Sequence, residues 1–169
     1  MKELRKSNDG LGHKIHFIKD KLMHNGAVVQ NKFEQNKLPN VKIVPQDCNA
    51  LFHSEPIKER GSIFQGHAMN VHSIEDAVRA CDALFQDVSV ARSDHIMYAY
   101  HIDGEEGIVE SGNSDDREYK GSDILVKYIQ DNKIDNIFIA VSRIHNRPNL
   151  GGRRFHLIHQ ACRDVVRLM

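Results

Sequence analysis

His67 and His95, with the carboxylates Asp115, Asp116 and Glu118, are the side-chain types from which a metal or general acid–base site is built. Imidazole titrates near neutrality and a carboxylate can take or return the proton, so their convergence would suit hydrolysis. Spacing alone does not bring them together, because they come from three separate segments. Neither His-x-x-x-His nor His-Glu-x-x-His occurs, which argues against a catalytic metal. The plainer reading makes His67 a structural imidazole and the acids a solvated loop, or partners for Arg143 and Arg154. His145, His156 and His159 crowd one region, but no cysteine or acid stands at matching spacing, so they read as surface residues. No metal and no cofactor is expected.

Anion recognition is the second chemistry on offer. Gly151-Gly152-Arg153-Arg154 opens a helix. Unpaired N–H groups at a helix N-terminus attract anions, and two arginines add donors. Gly152, Arg153 and Arg154 are therefore candidates for phosphate-backbone contact, against simple loop-to-helix packing. The Gly-Lys-Ser/Thr ending of a Walker loop is missing. Thiol chemistry has little support: Cys48, Cys81 and Cys162 have no metal spacing and read as reduced thiols of a cytosolic protein. Cys81 and Cys162 fall on apolar helix stripes, where a thiol acts as a small hydrophobe.

Charge constrains the partners. Lysine plus arginine number 23 and acids 23 in 169 residues, so a chain-wide nucleic-acid coat is excluded. The neutrality is uneven. Asp103 to Glu118 holds seven acids against Arg117, and Arg143 to the end holds six arginines against Asp164. Either the two segments complement each other across the fold, or the arginines form a face for an anionic partner. No apolar run reaches membrane-spanning length, and no secretory signal opens the chain, so a cytoplasmic protein without membrane contact is expected.

The elements that must position these residues begin near Glu55. Residues 1–54 are polar, with short apolar patches, a two-turn helix over His16 to Met23 and an edge strand at Val41–Val44; they read as a tail or partner-binding arm. Gly61 to Val71 alternates as a strand. Ser73 and Asp76 form a capping box, and Ile74, Ala77, Val78, Cys81, Leu84, Phe85 and Val88 keep helical period. His95 to Ile102 is a strand, Asp103-Gly104 a turn, Ile108-Val109 its return, and Ser111 to Asp116 a polar loop. Ser122 is placed to cap a helix carrying Ile124, Leu125, Tyr128 and Ile129. Ile137–Val141 is a continuous apolar strand, of the kind covered on both faces. A last helix sets Phe155, Ile158, Cys162, Val165 and Met169 on one stripe. The order favours an α/β (α+β) fold: a two-layer sandwich, one mixed sheet with helices on one face.

These blocks carry a resemblance. Ser62-Ile63-Phe64-Gln65-Gly66-His67 before a capped helix, and His95-Ile96-Met97-Tyr98-Ala99-Tyr100, are similar to the opening blocks of the IMPACT/YigZ family. Asp115-Asp116-Arg117-Glu118 resembles its Asp-Asp-Gly-Glu. Ser142-Arg143, Leu150-Gly151 and Arg154-Phe155 sit at the spacing of the eukaryotic version, and Ala161-Cys162-Arg163-Asp164 also fits. The resemblance covers about residues 53–168. Arg117 replaces a glycine, Ile96 an asparagine, and Asn146-Arg147 a glycine pair; glycine there would allow positive φ or close backbone approach. The resemblance implies a fold like domain 2 of small-subunit ribosomal protein five. It marks His67, His95, Asp115, Asp116, Glu118, Arg143, Gly151 and Arg154 as the family-motif surface.

It also implies a non-enzymatic translation regulator that restrains the starvation kinase's phosphorylation of the initiation factor, by competing for the kinase's activator. The expected partner is then a protein of that pathway, activator or kinase. The RWD domain of eukaryotic members is not expected in residues 1–54, which are too few and too polar. Two other classes stay open: an RNA- or ribosome-binding module using the arginines, and a small metal-dependent hydrolase built on His67 and the acidic loop.

Overall fold

The computed structural model describes residues 50–104, 109–146 and 149–169. The helix expected over His16–Met23, the strand at Val41–Val44 and nearly all of the proposed arm lie outside the described residues. In chain order the elements are strands β1 (Phe52–His53), β2 (Ile57–Glu59) and β3 (Ser62–Asn70), helices α1 (Ile74–Gln86) and α2 (Val88–Ala91), strands β4 (His95–Asp103) and β5 (Val109–Ser114), helix α3 (Gly121–Asn132), strand β6 (Ile137–Ile144) and helix α4 (Arg153–Val166). The sheet begins at Phe52, ahead of Glu55: β1 pairs with β3, and Ser54 exchanges backbone and side-chain hydrogen bonds with Gly66.

The α/β class holds, with one sheet and helices packed on it. Its path is β1-β3-β6-β4-β5, with β2 also on β3, and every pairing is antiparallel rather than mixed. The reason lies in β6. Strands β3 and β4 run in the same direction, as a strand–helix–strand unit demands, but β6 inserts between them antiparallel to both.

Helices cover both faces, so the two-layer arrangement with helices on one face is also corrected. Side chains alternate along β6: Phe138 and Ala140 join the α1 cluster with Ala77, Ala80 and Leu84, while Ile137, Ile139 and Val141 join Leu125 and the α4 residues Leu157 and Ile158. The continuous apolar run of β6 already demanded two covered faces. Each fully buried Leu or Ile of this kind stabilises by roughly 1.5–3 kcal/mol.

Three local expectations change. The apolar period of α1 runs on to Val88, yet Val88 is 62% exposed. Asp87 takes extended backbone angles there and caps a new turn through Ser89 N–H, which breaks the stripe. Ser73 does cap α1, accepting from Asp76 N–H at 3.2 Å, while the Asp76 carboxylate accepts from His72 N–H. Ser111–Ser114 belong to edge strand β5 and not to a loop: backbone pairing with β4 suffices to hold polar residues at an edge that faces water. On α4 the buried face is Leu157, Ile158, Ala161, Cys162 and Val165; Phe155 sits half-buried at its rim.

Candidate functional site

Strands β4 and β6 set the site's floor. Their register places His95 opposite Arg143, and both side chains leave the sheet on the α3/α4 face. The turn between β5 and α3 brings in Glu118, and the first turn of α4 brings in Arg154. Four motif residues from three separated blocks thus line one cleft of about 410 Å³, together with His145 and Asn149.

Glu118 is the hub. Its Oε2 accepts from Arg143 Nη1 at 2.5 Å, both side chains being buried. Its Oε1 lies 2.8 Å from Arg154 Nε, but that N–H makes no directed hydrogen bond, so the contact is an ion pair by proximity. Arg143 Nε is likewise buried without an acceptor. Arg143 Nη2 donates to His145 Nδ1 at 3.0 Å, and the guanidinium lies 5.1 Å over the Phe64 ring. His95 Nδ1 faces the Asp116 carbonyl at 2.9 Å and must donate to it, which turns Nε2 toward Glu118 at 3.7 Å.

The other two acids hold the turn in shape. Asp115 Oδ1 accepts from the Ser122 N–H and hydroxyl, and Oδ2 from Lys120 N–H, so Asp115 caps α3 in place of the expected Ser122. Asp116 Oδ2 accepts from Ile96 N–H at 2.8 Å, tying the turn to β4.

His67 is not part of this cleft. It lies fully buried on the α1 face, its Nε2 2.9 Å from Ser142 Oγ and its Nδ1 2.8 Å from His53 Nδ1. Burial, with the neighbouring His53, drives its pKa down to about 3, so the ring is neutral. A hydrolytic site combining His67 with the acidic loop is therefore excluded by position. Among the described residues no group of three metal-ligating side chains occurs.

Gly151, Gly152 and Arg153 also stand apart from the hub. Gly151 takes φ +52° and its carbonyl accepts from Arg154 Nη1, whereas Arg153 points to Glu59 at 3.8 Å. The N–H groups of Arg153, Arg154 and Phe155 already bond Leu150, Gly151 and Gly152 carbonyls, so the start of α4 does not present them to an anion. Nor do the arginines make one open face: Arg143 and Arg154 meet Glu118, Arg153 meets Glu59, and Arg163 meets Asp164. His145 and Asn149 are the site residues that sequence reading missed. Alternation on β6 carries Arg143 but stops before His145, which the Arg143 contact and the bond from its N–H to the Asp94 carboxylate bring in.

The chain is similar in sequence and in fold to known proteins. Residues 60–166 match the family described as the Impact N-terminal domain. A protein IMPACT homolog of Schizosaccharomyces pombe is 35% identical over 115 residues, covering 68% of this chain and 41% of the relative. One of Saccharomyces cerevisiae is 26% identical over 172 residues, covering 92% and 66%. The fold resembles that of the two-domain translational regulator Yih1, with a TM-score of 0.52 at 22% identity over 99% of this chain and 72% of that one. The chain spans about two-fifths of the first of these relatives and just under two-thirds of the second. Among the described residues no helix is long and apolar enough to cross a membrane.

Proposed function

The chain belongs to the Impact N-terminal domain family, and from that premise we propose that it regulates translation by protein contact, restraining the starvation kinase's phosphorylation of the initiation factor through competition for the kinase's activator. The observation that carries the reading is the convergence of His95, Glu118, Arg143 and Arg154, drawn from three motif blocks, on one solvent-facing cleft. The relatives bearing the IMPACT name and the translational regulator Yih1 support the same direction.

Binding fits this cleft better than catalysis. Among the described residues its one carboxylate lies against two guanidinium groups, and no serine, threonine or cysteine lines it. Elsewhere, burial pushes the Cys162 thiol up to about 12, far from a working nucleophile. The proposed setting is the cytoplasm, with the residues ahead of Phe52 as an arm beside the domain.

The test is a reconstituted kinase reaction with activator present. Adding the chain in molar excess lowers initiation-factor phosphorylation, and Arg154→Gln weakens that effect. Undiminished phosphorylation at every excess refutes the proposal. Capture of RNA or ribosomes, with no effect on the kinase, transfers the cleft to the nucleic-acid reading.

A further inference from the structure

The Glu118 cleft has more donors than its own residues use. Among the described lining residues two guanidinium groups face one carboxylate, a surplus of one positive charge before any imidazole is counted. Both Arg143 Nε and Arg154 Nε are buried without a hydrogen-bonded acceptor. A buried N–H left in that state is costly, so Arg143 Nε is an unmet demand for an oxygen, whereas Arg154 Nε already has the Glu118 carboxylate 2.8 Å away. His145 adds a third donor: its Nδ1 accepts from Arg143, which leaves the proton of the neutral ring on Nε2. Asn149 and the partly exposed Arg154 complete the rim.

We propose that this cleft is a receptor for a phosphomonoester dianion. Three tetrahedral oxygens match donors on Arg154, His145 and Asn149, and guanidinium forks favour phosphate geometry. Glu118 then serves as the orienting anion: it fixes Arg143 on the floor of the cleft and Arg154 at its rim and spends only one of their two charges. The His95 ring, held by the bond from its Nδ1 to the Asp116 carbonyl, keeps Nε2 on the Glu118 side of the cleft. A phosphodiester carries one charge and matches this set less well. The inference rests on the reading of the cleft as a contact surface, and gives that surface its ligand.

The experiment needs no partner protein, so its failure is separable from that of the kinase assay. The folded chain is titrated at fixed ionic strength with a phosphoserine peptide, a sugar monophosphate and a short unstructured RNA, and NMR follows the His95 and His145 rings. Saturable shifts of both rings with either monoester are expected, the peptide arm identifying a protein-borne group and the sugar arm a metabolite. Arg154→Gln should weaken binding about tenfold, the loss of one charge-assisted hydrogen bond. Glu118→Gln should tighten it by removing the competing carboxylate. Should that variant unfold, Asn149→Leu at the rim provides the second arm, with a weakening expected. No saturable shift up to tens of millimolar, an Arg154→Gln titration identical to the parent's, or tighter binding of the RNA than of either monoester would overturn the proposal.

Discussion

Glu118→Ala tests whether the hub holds the domain together. The side chains of Glu118 and Arg143 are 6% and 4% exposed, so removing the carboxylate leaves a guanidinium buried without its counter-ion. Breaking such a pair from one side costs about 3–5 kcal/mol. The Arg154 contact adds less, because that side chain keeps 23% of its surface in water. The assay is urea unfolding at pH 7 with an unchanged m-value, which assigns the loss to stability. The paired replacement Glu118→Leu/Arg143→Met removes both charges at similar volume and should recover most of the loss, giving a coupling of about 2 kcal/mol or more. A loss under about 1 kcal/mol for Glu118→Ala, or additive single and double variants, would show that the ion pair is solvated and the account of the cleft's floor wrong.

Leu157→Ala should cost about 2–5 kcal/mol, since Leu157 is fully buried, and Phe155→Ala clearly less; the reverse ranking in thermal unfolding would contradict the phase of α4. Gly66→Ala should destabilise severely, because a Cβ there would stand 2.1 Å from the Ala161 carbonyl oxygen on α4; a parent-like thermal midpoint would mean that α4 packs elsewhere. His67, facing His53, Ser142 and the Asp87 charge, has a folded pKa near 3 against about 6.5 unfolded. The unfolded chain therefore gains the proton first, and the stability from this residue, present above pH 6.5, falls by about 1.4 kcal/mol per unit as pH drops below that value. His67→Asn should flatten the slope between pH 6 and 4 by about one proton, and an unchanged slope refutes the assignment. Arg117→Gly should raise stability by about 0.5–1 kcal/mol, seen as a higher thermal midpoint, since Arg117 holds φ +65°; a fall would show that its side chain matters more than its backbone.

Periodicity reads what repeats and misses what one residue decides. The stripe of α1 and the apolar run of β6 were legible because burial acts on every turn or every second residue. Where α1 stops was not, because a single extended residue, Asp87, outweighs the apolar Val88 that follows. The cap of α3 was assigned to Ser122 because local patterns favour a nearby hydroxyl, whereas the acceptor comes from Asp115, seven residues away. On α4 the shared positions Ile158, Cys162 and Val165 fit two neighbouring phases, and only packing against β3 selects the one with Leu157 and Ala161 inside. The motif residues do not all share one place in the fold, and His67 and His95 look alike in sequence. Strand parity separates them: His67 shares the face of Met69, and His95 that of Met97.

The turn that delivers Glu118 explains how a departure from the family pattern is tolerated. Asp116, Arg117 and Lys120 all have positive φ, a conformation that costs an ordinary residue roughly 1–2 kcal/mol and glycine almost nothing. Such strain persists only where surrounding contacts over-determine the backbone. Here they do: Asp115 binds the N–H groups of Lys120 and Ser122, Asp116 binds Ile96 N–H, and Glu118 is gripped by Arg143 beside Arg154. Arginine at 117, where the resemblance implies glycine, removes conformational ease but none of these anchors. The path of the turn therefore survives the substitution, and with it the position of the carboxylate on which the cleft depends.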